Sequence, residues 1–159
     1  MFGNSRESPL LVYITTLIAL VLTVLPLPQV LSIIWPNLLV LAVLYWSTMA
    51  PRAGGMLLGF LAGLTLDLLN GSQLGQHALA VSFVTYLALR FHLLIRAKPI
   101  FEQAMFVLIA LLSYEAILWG IDGFSNHSTG NWTRWVHILS GAASWPIIVG
   151  LLGRLHSPR

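Results

Sequence analysis

Two carboxylates, Asp67 and Glu115, stand inside long apolar stretches of this 159-residue chain. A carboxylate at bilayer depth costs roughly 2.5–3.5 kcal/mol at the centre of a spanning helix and less toward its end. Each group therefore needs hydrogen bonds, an opposite charge or a ligand to offset that cost. Acid–base chemistry shared between the two is the first reaction to consider, but no nucleophile stands at a recognisable spacing from either.

Motifs typical of enzymes and metal sites are absent from the sequence. It contains no G-x-S-x-G, H-E-x-x-H or G-x-x-x-x-G-K-[ST] pattern, its five histidines are dispersed, and it has no cysteine. The sequence therefore predicts no catalytic residue, no metal site and no cofactor. The net charge of only +3, with basic residues standing singly, also argues against a nucleic-acid surface.

Six apolar runs, each close to the length of a bilayer crossing, must position these residues. Hydrophobic residues make up 57% of the chain and charged residues 8%, whereas soluble domains carry about 25% charged residues. The sequence therefore predicts an all-α, polytopic membrane helix bundle, a single domain over residues 1–159. Five spans is the alternative, because the third run is short. The predicted helices are 9–27, 30–50, 53–69, 77–95, 100–121 and 135–152.

The lysines and arginines predict the orientation of these helices. With the N-terminus inside, seven of the eight basic residues fall on the cytoplasmic side, and only Arg134 falls outside. This bias favours an even number of spans and places both termini in the cytoplasm. It also brings four residues to the outer side, which form a predicted outer polar cluster: Asn37, Asp67, His77 and Glu115. The cluster either lines a cavity open to the outside or is the ordinary wetting of helix ends.

A four-residue repeat runs through the third predicted helix and the turn that follows it. Its members are Gly55, Gly59, Gly63, Asp67, Gly71 and Gly75. The first four lie on one stripe of a helix, so the glycines form a groove that ends at a carboxylate. The groove either packs against a neighbouring helix of the same chain or receives the helix of a partner protein. Asp67 is either bonded to backbone or hydroxyl groups near the turn or contacts a ligand or partner.

The pattern G-x-x-x-G-x-x-x-D-x-x-x-G-x-x-L-G-x-x-A-L, which runs from Gly59 to Leu79, resembles the rod shape-determining protein MreD family. Pro36-Asn37, Tyr45-Trp46 and Trp145-Pro146 add to the resemblance, which extends across the chain. It implies a non-enzymatic inner-membrane component of the bacterial cell-elongation machinery. Such a component works with the bitopic protein MreC and, through it, with the MreB filament and the peptidoglycan synthases. The resemblance also implies a fold similar to the substrate-binding subunits of energy-coupling-factor transporters.

Two functions are consistent with these features. In the first, the chain is a scaffold whose glycine groove and outer polar cluster receive a partner's helix or juxtamembrane segment. The alternative is a small-molecule-binding membrane subunit or transporter component, with an outward-facing site near Asp67, His77 and Glu115. The lipid bilayer is the other predicted partner, and the basic inner loop from Arg90 to Lys98 is a candidate contact for anionic lipid or for the filament.

Overall fold

The structure is a computed structural model that describes residues 9–125 and 132–156. These residues form seven α-helices and no strand, which confirms the predicted all-helical class. Arg6 and Arg159, which contribute to the predicted topology, lie outside the described residues. The helices are α1 (Pro9–Val24), α2 (Gln29–Ile34), α3 (Leu38–Met49), α4 (Met56–Asn70), α5 (Gln76–Arg96), α6 (Ile100–Phe124) and α7 (Thr133–His156).

Four segments of the described chain are long and apolar enough to cross a bilayer. They are Gln29–Met49, which combines α2 and α3, and the helices α5, α6 and α7. The helices α1 and α4 are apolar but only 16 and 15 residues long, shorter than the roughly 20 residues of a full crossing. The chain is thus suited to a polytopic membrane protein, and the count of six crossings stays a prediction.

The predicted continuous helix over residues 30–50 is wrong, because the chain breaks between Ile34 and Leu38. Pro36 has no N–H group and restricts the residue before it to extended conformations. Trp35 accordingly has a φ of −67° and a ψ of 118°. The Asn37 side chain then accepts a hydrogen bond from the Val40 N–H at 3.3 Å and caps the start of α3.

Other predicted boundaries shift by a few residues. The first helix ends at Val24 rather than at residue 27, ahead of the two prolines at 26 and 28. The helix α4 begins at Met56 rather than at residue 53, because the preceding residues form a turn. The helices α6 and α7 extend further than predicted, to Phe124 and His156.

The helix α3 lies at the centre of the bundle. Ten of its twelve residues are buried, and it contacts α1, α4, α5 and α7. The helices α4 to α7 pack against one another in chain order beside it. Large apolar side chains such as Leu57, Leu93 and Ile147 remain exposed on the outside of the bundle. A hydrocarbon environment would cover these side chains, as the predicted membrane location requires.

The helices α3 to α7 alternate in direction, so the bundle has two ends. At one end of the bundle α4 and α6 finish and α3, α5 and α7 begin, and we call this the Asp67 end. We call the opposite end of the bundle the Lys98 end. Toward the Lys98 end, Trp46 Nε1 donates to Thr15 Oγ1 at 2.9 Å, and Trp145 Nε1 donates to Gln103 Oε1 at 3.3 Å. These buried indoles stabilise the packing of the bundle by joining helices that are distant in sequence.

Candidate functional site

The turn between α4 and α5 depends on two glycines with positive φ. Gly71 ends α4 with a φ of 61°, and Gly75 precedes α5 with a φ of 97°. Both conformations are strained for a residue that carries a Cβ atom. The last two glycines of the four-residue repeat therefore reverse the chain direction.

Asp67 lies in the last turn of α4 and is only 1% exposed. Its Oδ1 accepts hydrogen bonds from the Ser72 hydroxyl at 2.9 Å and the His77 N–H at 2.9 Å, and it lies 2.8 Å from His77 Nδ1. Its Oδ2 accepts from the N–H groups of Gly75 at 3.0 Å and Ala78 at 3.2 Å. The carboxylate thus binds the N-terminus of α5, where free N–H groups and the helix dipole stabilise a negative charge.

Gly59 and Gly63 allow α4 to approach α5 closely. A Cβ atom at Gly63 would lie 2.6 Å from the Ala78 Cα and 2.6 Å from the His77 carbonyl oxygen. A Cβ atom at Gly59 would overlap the Thr85 side chain. Small residues at helix contacts have this role in membrane bundles. The space beside both glycines is therefore filled by α5 of the same chain.

This packing bears on the two interpretations of the glycine repeat, which are a contact within the chain and a groove for a partner helix. Gly59 and Gly63 are buried inside the bundle, Gly55 precedes α4, and Gly71 and Gly75 belong to the turn. The repeat crosses the end of a helix, so its members do not share one face. Of the two interpretations of the repeat, the structure agrees with packing within the chain.

A cavity of about 280 Å³ opens at the Asp67 end. Three of the four residues of the predicted outer polar cluster line it, namely Asn37, His77 and Glu115. The fourth, Asp67, lies behind His77 and is hydrogen-bonded to it. The structure thus brings the cluster together around one cavity. Further lining residues include Ser32, Trp35, Tyr114, Arg134 and His137.

Hydrogen bonds between helices hold the cavity wall in place. Asn37 Nδ2 donates to the Tyr114 hydroxyl at 3.1 Å, which joins α3 to α6. His137 Nδ1 lies 2.8 Å from the Trp35 carbonyl oxygen, which joins α7 to the break before α3. The rings of His77 and Tyr114 lie near each other, with 6.3 Å between their centroids. The polar side chains of the wall therefore have defined positions.

Charged groups of both signs border the cavity. Arg134 forms an ion pair with Asp122, whose Oδ1 accepts a hydrogen bond from Gln76 Nε2 at 2.8 Å. Glu115 is half-buried and lines the cavity, and none of the described residues donates a hydrogen bond to it. Arg134 is the opposite charge that acts on Glu115. The cavity therefore contains a carboxylate that is available to an occupant.

The sequence interpretation missed Tyr114, Arg134 and His137 as members of this site. The predicted topology places Arg134 and His137 on the same side as the outer polar cluster. This shared location could have indicated that both residues belong to the site. Tyr114 precedes Glu115 in the chain, but its direction depends on how α6 is rotated against its neighbours. No pattern in α6 indicates that rotation.

Hydrogen bonding and charge are the chemistry that this cavity offers. Among residues 9–125 and 132–156, no group of three histidine, aspartate or glutamate side chains is arranged to hold a metal ion. The arrangement suits recognition of another molecule by fixed donors and acceptors.

Residues 5–155 match the family described as rod shape-determining protein MreD. The chain belongs to the MreD family. It is 32% identical over 141 residues to the rod shape-determining protein MreD of Haemophilus influenzae, an alignment that covers 87% of this chain and 85% of that protein. No solved structure matches the chain.

Membership of the MreD family confirms the resemblance carried by residues 59–79 and gives the chain a role in determining rod shape. In this MreD-family chain, the glycines and the aspartate of that stretch build the α4–α5 hairpin. The hairpin in turn holds His77 at the cavity. The expected likeness to the substrate-binding subunits of energy-coupling-factor transporters stays a prediction.

Proposed function

We propose that this MreD-family chain is a non-enzymatic scaffold of the cell-elongation complex in the bacterial inner membrane. In this proposal the chain crosses the membrane six times, has both termini in the cytoplasm, and receives a segment of the bitopic protein MreC in its cavity. Through MreC it links the MreB filament to the peptidoglycan synthases. The polar cavity at the Asp67 end is the observation that carries the proposal.

The distribution of positive charge supports an outward-facing cavity. The described residues contain six lysines and arginines, of which five lie toward the Lys98 end and only Arg134 lies at the Asp67 end. Cytoplasmic ends of spanning helices carry such an excess of positive charge. The Asp67 end then faces the outside, where the peptidoglycan is assembled.

The construction of the cavity suits a protein segment. Ser32 lines the cavity from α2, a helix of six residues with none of them buried, so this part of the lining is exposed. Apolar residues such as Leu25 and Leu118 line the cavity together with the polar groups. Protein interfaces combine apolar and polar contacts in the same way. A segment of MreC that leaves the membrane beside α2 would reach the cavity without crossing the bundle.

A small-molecule-binding subunit is the second candidate function. The cavity volume of about 280 Å³ lies just below the range of about 300–1,000 Å³ that is typical of ligand sites. Thermal stabilisation of the purified protein by a wall precursor or a vitamin, lost in Glu115→Gln, would favour this candidate over the scaffold.

Ser32→Trp is expected to exclude MreC by filling the cavity. Ser32 is exposed on α2 and lines the cavity, and its hydroxyl donates to the Gln29 carbonyl at 2.8 Å within its own helix. The indole therefore occupies space in the cavity without disturbing the core. We expect the amount of MreC that co-purifies from membranes to fall at least about tenfold, equivalent to about 1.4 kcal/mol of binding free energy.

Ser113→Trp is the matched control. Ser113 lies on α6 outside the cavity, and its hydroxyl likewise donates to a carbonyl of its own helix, that of Ile109, at 2.9 Å. This variant should retain MreC at the wild-type yield. Equal losses in both variants, or wild-type binding and rod shape in Ser32→Trp, would contradict the proposal.

A further inference from the structure

The proton positions on the two cavity histidines follow from their partners. His77 Nδ1 lies 2.8 Å from Asp67 Oδ1, and both oxygens of that carboxylate already accept hydrogen bonds from N–H groups. His137 Nδ1 lies 2.8 Å from the Trp35 carbonyl oxygen, which can only accept. Nδ1 of each ring therefore donates, and in the neutral imidazole Nε2 is left as an acceptor.

A carboxylate and a hydroxyl complete this set of polar groups. Glu115 contributes acceptor oxygens to which none of the described residues donates a hydrogen bond. The Tyr114 oxygen accepts from Asn37 Nδ2, so its own O–H group remains able to donate. An occupant of the cavity thus meets three acceptor side chains, His77, His137 and Glu115, of which Glu115 carries a negative charge in its ionised form.

Arg134 is the strongest hydrogen-bond donor at the cavity, and one of its two terminal guanidinium nitrogens is already bound. Its Nη2 pairs with Asp122, which reduces the charge that it presents to Glu115. Its Nη1 is buried and has no hydrogen-bond partner. A buried donor of this kind costs free energy until an acceptor, such as a peptide carbonyl, reaches it.

From this arrangement we infer that the cavity binds a peptide segment that places a Lys or Arg side chain beside Glu115 and a main-chain carbonyl beside Arg134. The inference rests on the proposed function, because the segment belongs to the membrane partner of the chain. An ammonium or guanidinium group donates both to a carboxylate and to imidazole nitrogens, which an acidic or apolar side chain cannot do. A metal ion fits less well, since the described residues offer no three-ligand group.

Glu115→Gln tests the charge that this inference requires. Glutamine keeps the size of the side chain but removes its negative charge, so we expect binding of full-length MreC at about 0.1 M salt to weaken about tenfold. Raising the salt to about 1 M shortens the Debye length from about 10 Å to about 3 Å. Binding by the wild type should weaken over this range, whereas binding by Glu115→Gln should change much less.

Glu102→Gln is the control for this experiment. Glu102 lies on the same helix at the opposite end, paired with Lys98 at 2.8 Å, and the variant should bind MreC with the wild-type salt dependence. Melting curves in detergent establish that each variant is folded. Wild-type affinity and salt dependence in Glu115→Gln, together with loss of binding in Ser32→Trp, would overturn this inference and leave the proposed function standing. Wild-type binding in Ser32→Trp would instead overturn the proposed function.

Discussion

Asp67→Ala is expected to lower the free energy of unfolding by about 3 kcal/mol or more, because each buried donor that loses its acceptor costs about 1–3 kcal/mol. The alanine leaves the N–H groups of Gly75, His77 and Ala78 without their acceptor at the start of α5. It also removes the carboxylate that holds the His77 ring. Tryptophan fluorescence during thermal unfolding in detergent would measure the effect, at about 2–4 °C per kcal/mol for a chain of this length.

Two further variants define the origin of this effect. Asp67→Asn keeps one acceptor oxygen and loses the other, so its melting temperature should lie between those of Asp67→Ala and the wild type. Glu102→Gln removes an exposed carboxylate at the Lys98 end and should melt with the wild type. A melting temperature of Asp67→Ala equal to that of Glu102→Gln would show that the carboxylate does not stabilise the hairpin.

Gly63→Ala is expected to destabilise the protein by about 1–3 kcal/mol, because the added methyl group meets backbone. The new Cβ would lie 2.6 Å from both the Ala78 Cα and the His77 carbonyl oxygen, so α4 and α5 must move apart. That movement displaces His77, and we therefore also expect weaker retention of MreC. Thermal unfolding and co-purification with MreC measure the two effects.

Gly150→Ala is the matched control for this substitution. Gly150 lies in α7 with no atom of a neighbouring element within 4 Å of an added Cβ, so the methyl group has room. Alanine at such a helix position should stabilise the protein by roughly 0.5–1 kcal/mol. If Gly63→Ala is as stable as Gly150→Ala, the close contact of α4 with α5 is not needed for folding.

The sequence was sufficient to predict the all-helical class, because apolar runs of spanning length allow few other structures. It was not sufficient to interpret the glycine repeat. A spacing of four describes a helix face only while the helix continues, and α4 ends at Asn70. Gly71 and Gly75 have the same spacing for a different reason, which is the positive φ that the turn requires.

Only part of the candidate site could be predicted from the sequence. Loop charges predict the end of the bundle at which a residue lies, and this was enough to group Asn37, His77 and Glu115 on one side. They do not predict which way a helix is rotated, so they could not distinguish a cavity residue such as Tyr114 from its exposed neighbours. The break at Pro36 could not be predicted either. Proline also occurs in continuous spanning helices when neighbours satisfy the backbone.

Crosslinking from the cavity tests the central claim most directly, since the chain contains no cysteine and a single one can be placed at will. A photoactivatable crosslinker attached to Ser32→Cys, and separately to Ser113→Cys, would be activated in membranes that contain MreC. A scaffold that receives MreC in its cavity predicts an MreC adduct from position 32 and little or none from position 113. An adduct from position 113 with none from position 32 would contradict it.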